Sequence, residues 1–300
     1  MSEPIIRIHL GSHKTATTYL QETLLLNSER SAAAGLAYLP LSVVRPPLRD
    51  AIQARRKRQK QKGYRLFSKG AVDARAKMDE IAWWFDIDMP VTLSEENILG
   101  EAQDSYGGGI YPNAAIGLSV LRDTLPQRPL EFFLAIRSYA SYLASMYAES
   151  LRHGGFIPLE KYLKFNRLSP GSWVTLVDTI RKTFPEARIV TWRYEDFSAL
   201  EPQILERLSG VPFAQMHRLS QSVVLPSASS EAIEEMIAMA PDLSPQQRVY
   251  TMLALQDRYL RSDKSQRFLP WSDQDKAAMS ERYDRDVEQL KARSDVEVLG

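Results

Sequence analysis

Apolar residues fall into two rhythms along this chain, and the rhythms divide it into strands and helices. Ile5, Ile6, Ile8 and Leu10 crowd a segment of strand length, the pattern of a strand buried on both faces of a parallel sheet. Gly11 ends that run. After a polar turn, Tyr19, Leu20, Thr23, Leu24 and Asn27 recur at helical spacing, with Thr17 or Thr18 available as the N-cap. Three more apolar runs read as strands: Met89 to Leu93, Leu130 to Ile136 and Arg188 to Trp192. Helical stripes follow over Ala71 to Phe85, from near Ser138, after Pro158 and over Ser172 to Phe184. Residues 200–300 read as mainly helical, over Glu201 to Leu208, Ser230 to Met239, Pro245 to Leu260 and Gln274 to Leu290. Ala33 to Pro40 reads as a short extended segment, and Pro40, Pro46 and Pro47 predict a break after it. Strands that alternate with helices predict an α/β fold, three-layer α/β/α around a central parallel sheet.

Composition narrows the setting. Three hundred residues, 44% hydrophobic and 25% charged, describe a soluble globular chain that forms one domain over 1–300. Lys plus Arg (38) nearly balance Asp plus Glu (37), so no global field favours nucleic acid or an anionic membrane, and a basic site must be local. With no cysteine there are no disulfides, thiolate metal sites or cysteine nucleophiles, which fits a reducing compartment. The start, MSEPIIRIHLGS, has no basic segment ahead of an apolar one, and no run approaches ~18 apolar residues. A cytoplasmic protein without a membrane span is expected. The stretch 45–70 reads as a basic loop or insertion around Arg55 to Lys62 (RRKRQKQK): a solvated helix face, a disordered loop, or a clamp for an anionic acceptor such as a polysaccharide. It lacks the interleaved aromatics that stack bases. Trp83 and Trp84 cannot share a helix face, so one belongs to the core and the other is a candidate pocket wall. Gly107 to Gly109, between Tyr106 and Tyr111, read as a mobile loop.

Candidate chemistry gathers at the ends of strands. In the turn Gly11, Ser12, His13, Lys14, Thr15, Ala16, Thr17, Thr18, a helix start offers unpaired N–H groups and the positive end of its dipole, and Lys14 adds a full charge. This combination suits a phosphate-like anion. It is not the nucleotide triphosphatase loop, because Ala16 and Thr17 stand where that pattern needs Gly and Lys. Glu95 and Glu96 follow the second predicted strand. Ligands of open parallel sheets sit beyond such ends, so one of the two could be a general base, or both could cap the next helix. Arg137 ends the third predicted strand, where a guanidinium can grip a phosphate in bidentate fashion. On the following helix Ser141, Ser145 and Ala148 share one sector, so the Ser145 hydroxyl can complete that grip. Tyr194 follows the fourth predicted strand. The histidines at 9, 13, 153 and 217 show no metal-ligand spacing; His9 is expected within the sheet, and His13 and His153 are alternative bases.

GSHKTATTYLQ resembles the phosphosulfate-binding loop of the sulfotransferases, and the order of motifs extends the resemblance over most of the chain. KTATT follows the first strand, SEEN the second, Arg137-x7-Ser145 leaves the third and Tyr194-Glu195-Asp196 closes the fourth. The resemblance implies the nucleoside-triphosphatase-like topology of that family. It also implies sulfuryl transfer from 3′-phosphoadenosine 5′-phosphosulfate to a hydroxyl of a carbohydrate or small-molecule acceptor. Lys14 would then serve the bridging oxygen or the leaving 5′-phosphate, with Gly11 to Thr18 around it. Arg137 and Ser145 would hold the 3′-phosphate, Tyr194 would lie near the nucleotide, and Glu96, or failing it Glu95, would take the acceptor's proton. No metal is needed where Lys14 and N–H groups meet the leaving group's charge. Two departures stand out: Ala16 replaces the family's usual glycine, and no Arg-Lys-Gly segment closes the chain, leaving Arg218 and Ser222 as substitutes. The competing readings are a noncatalytic nucleotide- or glycan-binding protein and a nucleotide-dependent kinase.

Overall fold

A computed structural model describes residues 3–61, 79, 82–167, 171–219, 228–259 and 267–300. Its centre is one sheet of six parallel strands in the order β2-β3-β1-β4-β5-β6. These are β1 (Ile6–His9), β2 (Ala37–Leu39), β3 (Val91–Ser94), β4 (Leu130–Ile136), β5 (Arg188–Arg193) and β6 (Glu297–Leu299). Around it run α1 (Thr17–Leu26), α2 (Ser28–Ala33), α3 (Leu41–Gln61), α4 (Ala114–Thr124), α5 (Tyr139–Arg152), α6 (Leu159–Arg167) and α7 (Trp173–Thr183). They are followed by α8 (Phe197–Ser209), α9 (Ser230–Met239), α10 (Pro245–Arg258) and α11 (Asp273–Lys291).

Strand alternation sorts the core into two slabs and produces the three-layer α/β/α architecture. Phe132, Leu134 and Ile136 of β4 join Ile6, Ile8, Val91 and Leu93 and the helices of one face, including Leu118 of α4 and Val177 of α7. Phe133 and Ala135 point the other way, with Val190 and Trp192, onto Leu20 and Leu24 of α1 and Ile204, Leu205 and Leu208 of α8. β1 is central, with Ile6 opposite Val91 of β3 on one side and Leu130 of β4 on the other. The chain builds β2 and β3 on one side of β1, then crosses to β4, so the winding reverses beside β1. A crevice opens at the carboxyl ends there.

Several local expectations change. Pro46 and Pro47 do not break the chain after Pro40 but lie inside α3, so 45–61 is helix rather than loop. Val44, Leu48, Ala51 and Ile52 form a buried stripe at helical spacing, and its burial outweighs the two N–H groups the prolines lack. Arg55 and Arg56 of the basic run are tied to Asp123 and Asp104, while Lys57 and Arg58 are exposed; Lys62 and the run's continuation lie outside the described residues. The glycine triplet is packed in part: Gly107 is exposed, but Gly109 is buried and at Gly108, with φ of 83°, a Cβ would come within 2.8 Å of the Phe165 carbonyl oxygen. Trp84 is core and Trp83 is 63% exposed, but neither lines the main cavity. Most of the helix expected over 71–85, and both Ser222 and Leu260, lie outside the described residues. The carboxyl-terminal part is helical as read but ends in β6, which pairs with β5.

Candidate active site

The turn after β1 is held by its own hydroxyls. Ser12 Oγ donates to the Ala135 carbonyl of β4 (2.5 Å), which pins the turn to the neighbouring strand. Thr15 Oγ1 and Thr17 Oγ1 both donate to the Ser12 carbonyl (2.6 and 3.0 Å). Three of the hydroxyls expected to face an anion therefore shape the loop, and Thr18, which is exposed and lines the cavity, has its hydroxyl left for a ligand. The N-cap of α1 is Ala16, not Thr17 or Thr18. Ala16 is left-handed (φ 63°, ψ 19°) and no side chain caps the helix, so the first-turn N–H groups stay open. Lys14 is left-handed too (φ 64°), while Thr15 between them is not, an alternation that turns successive N–H groups into one concavity.

A cavity of about 640 Å³ opens over this turn. His13, Lys14, Ala16, Thr17, Thr18, Glu96, Arg137, Ser145 and Tyr194 all line it; Gly11, Ser12, Thr15 and Glu95 do not. Ile233 of α9, Met252 of α10, Phe268 and Leu269 face Ala144 and Ala148 of α5 as its apolar wall.

Arg137, carried past the end of β4, is only 9% exposed. Its Nε donates to Ser141 Oγ (3.0 Å), its Nη1 donates to the Lys14 carbonyl (2.5 Å), and its guanidinium lies 4.9 Å above the Tyr194 ring. Ser145 Oγ donates instead to the Ser141 carbonyl (2.7 Å), so the serine that touches the guanidinium is Ser141. Among the described residues no carboxylate lies within 4.0 Å of Arg137. Burial lowers its pKa and the Arg267 charge adds to that, while Tyr194 and the more distant Glu195 work to raise it. A buried cation with no carboxylate in contact is costly, and an anion in the cavity would relieve it.

The two carboxylates after β3 part company. Glu95 is 1% exposed and takes two hydrogen bonds from Arg45 of α3 (2.7 and 3.1 Å) and one from the Asn97 N–H (2.9 Å). Burial raises its pKa despite Arg45. Glu96 reaches the cavity and accepts from Arg45 Nη2 (2.9 Å) and Gln21 Nε2 (2.8 Å). Burial works to raise its pKa, but His13, when charged, and Arg45 hold it below the usual range.

His13 has both ring nitrogens engaged: Nδ1 lies 2.8 Å from Tyr111 Oη and Nε2 3.2 Å from Asn97 Oδ1. One neutral tautomer satisfies both, and burial lowers its pKa. His9 is buried in the sheet, stacked on Trp192, and His217 meets Arg30 away from the cavity. His153 sits against Glu149 and is not on the cavity wall.

Sequence reasoning missed Arg45, Glu149 and Arg267, the last two of which line the cavity. Glu149 was open to detection, since it follows Ser145 by one helical turn. Arg218, the substitute named for a closing basic segment, pairs with Glu201 (3.5 Å) and is not on the wall, whereas Arg267 is. Among the described residues no group of side chains is arranged to hold a metal ion, and no helix is long and apolar enough to cross a membrane.

The chain is similar in structure to a sulfotransferase from Alicyclobacillus acidocaldarius, at 14% identity and a TM-score of 0.36, over 89% of this chain and 100% of that one. It is also similar to the sulfotransferase domain from the curacin biosynthetic pathway, at 12% identity and a TM-score of 0.36, over 98% of this chain and 99% of that domain. No protein-family model and no curated protein sequence matches the chain. The functional reading therefore rests on the geometry of the site.

Proposed function

We propose that the protein transfers a sulfuryl group from 3′-phosphoadenosine 5′-phosphosulfate to a hydroxyl of a carbohydrate or small-molecule acceptor. One observation carries this reading: a single cavity joins an uncapped, lysine-bearing turn to a buried guanidinium that no carboxylate among the described residues approaches to ion-pair distance. Two separated anion sites suit a nucleotide with anionic groups on both its 5′ and 3′ sides.

The roles follow from position. Lys14, the first-turn N–H groups of α1 and the Thr18 hydroxyl hold the 5′-phosphate, and Gly11, Ser12, Thr15, Ala16 and Thr17 set the shape of the turn. Arg137, with Ser141 and Ser145 and with Arg267 nearby, holds the 3′-phosphate, and Tyr194 supports the guanidinium. Glu96 accepts the acceptor's proton as its oxygen bonds to sulfur. The bond from sulfur to the phosphate oxygen breaks with its electron pair left on that oxygen, where Lys14 meets the growing charge. Glu95 anchors Arg45, and His13 fixes Asn97 and the turn. The apolar wall of Ile233, Met252, Phe268 and Leu269 suits an acceptor whose hydroxyl is borne on an apolar body.

Calorimetric titration with adenosine 3′,5′-bisphosphate, beside 5′-AMP and beside ATP with magnesium, tests the reading. Charge-assisted bonds are worth about 1.5–3 kcal/mol each, so the bisphosphate should bind at least ~10-fold more tightly than 5′-AMP. Tighter binding of ATP with magnesium, or no binding at all, would defeat it.

A further inference from the structure

Beside Lys14 the cavity holds a carboxylate that the roles above leave unused. Glu149, in the third turn of α5, lines the cavity with its side chain 16% exposed and places Oε2 3.1 Å from Lys14 Nζ. Arg152 Nη1 lies 3.6 Å from the same oxygen, and His153 Nε2 lies 3.1 Å from Oε1. Burial alone would raise the Glu149 pKa, but His153, Lys14 and Arg152 hold it far below the usual carboxylate range. Positive charge also gathers at Lys14 from the uncapped start of α1, from Arg137, which donates to the Lys14 carbonyl, and from Arg267 on the same wall, while the cavity's other carboxylates include Glu96, held by Arg45 and Gln21, and Glu201, paired with Arg218. Among the described residues Glu149 is the carboxylate ion-paired to Lys14.

We propose that Glu149 is a place-holding counter-ion of the donor site, which occupies Lys14 until an anion with further anchors displaces it. The inference rests on the reading that the cavity takes a doubly anionic nucleotide. A small anion such as sulfate meets Lys14 and the turn alone, and must compete with a carboxylate tethered at high effective concentration. A nucleotide that also engages Arg137 has a second hold and wins the exchange. Once displaced, Glu149 retains Arg152 and His153, so its charge is not stranded.

The test is titration of the wild-type protein and Glu149→Gln with adenosine 3′,5′-bisphosphate and, separately, with sodium sulfate. Removing the internal competitor should tighten bisphosphate binding roughly 10-fold and sulfate binding by at least as much. The gain should vanish when Lys14→Met is introduced into both proteins. Equal or weaker binding of both anions by a folded Glu149→Gln protein, or a gain that persists without Lys14, overturns the proposal. If that variant does not fold, Glu149→Asp draws the carboxylate back by one methylene and should still tighten both; unchanged affinity there overturns it equally. Bisphosphate binding with no gain in the variant leaves the donor reading standing and removes the place-holder. A sulfate gain where neither protein binds bisphosphate does the reverse.

Discussion

Lys14 is the residue on which binding and chemistry meet, and removing it separates the two. Its side chain is partly exposed, so Lys14→Ala should fold normally. Turnover should fall roughly 10²–10³-fold, the scale for losing one donor to a developing oxyanion. Sulfuryl transfer followed with a labelled donor measures this, and near-normal turnover would take the lysine out of the mechanism. At this scale the sequence is least able to choose between neighbours. Glu95 and Glu96 are adjacent and alike, and what separates them is Arg45, which engages one carboxylate with two bonds and the other with one. Arg45 itself sits just ahead of the two prolines that argue against a helix there. Ser141 and Ser145 share a sector, and the choice between them depended on which hydroxyl the guanidinium reached.

Elements were legible in proportion to the apolar pattern they carry. β1, β3, β4 and β5, of four to seven residues, stand out as apolar runs; β2, of three residues, lies within the extended segment read over Ala33 to Pro40, whereas β6, also of three residues, shows no period. The carboxyl-terminal helices keep their stripes and fall close to the predicted bounds. The start of α1 was misplaced because threonine is a good cap by type, yet Thr17 turns its hydroxyl back to Ser12 and the chain is already helical at that point. The bend falls on Ala16, and a left-handed alanine costs about 1 kcal/mol that glycine does not. Ala16→Gly should therefore raise stability slightly, by about 1 kcal/mol less the entropy that glycine loses on folding, and should leave the turn's shape unchanged. A melting temperature up by about 1 °C at most, with bisphosphate affinity retained, is the expected result. A lower melting temperature would mean that the methyl group packs usefully enough to offset the strain.

For the whole molecule, the telling group is one that the site does not use. His9 lies at the end of the central strand, under the turn: its Nδ1 is 2.7 Å from Ser94 Oγ, its ring stacks on Trp192, and its Nε2 is buried without a partner among the described residues. Burial lowers its pKa from 6.5 to about 4, although Glu96 works the other way. The unfolded chain, with the ordinary value, binds this proton more readily than the folded one. The full stability holds above pH 6.5 and is progressively lost between pH 6.5 and about 4, with no further loss from this group below that. The difference amounts to about 3 kcal/mol. His13, half-buried and shifted in the same direction, steepens the slope. His9 also joins the slab of core behind Trp192 to the turn that carries Lys14, so protonating it would loosen the cavity together with the fold. Urea unfolding of the wild-type protein and His9→Asn from pH 7.5 to 4.5 isolates the contribution, because carboxylates titrating at the acid end act in both proteins. The variant should be less stable at pH 7.5, having lost the stack on Trp192, but its stability should fall more shallowly with acid. Parallel curves would show that the buried imidazole does not govern the acid limb.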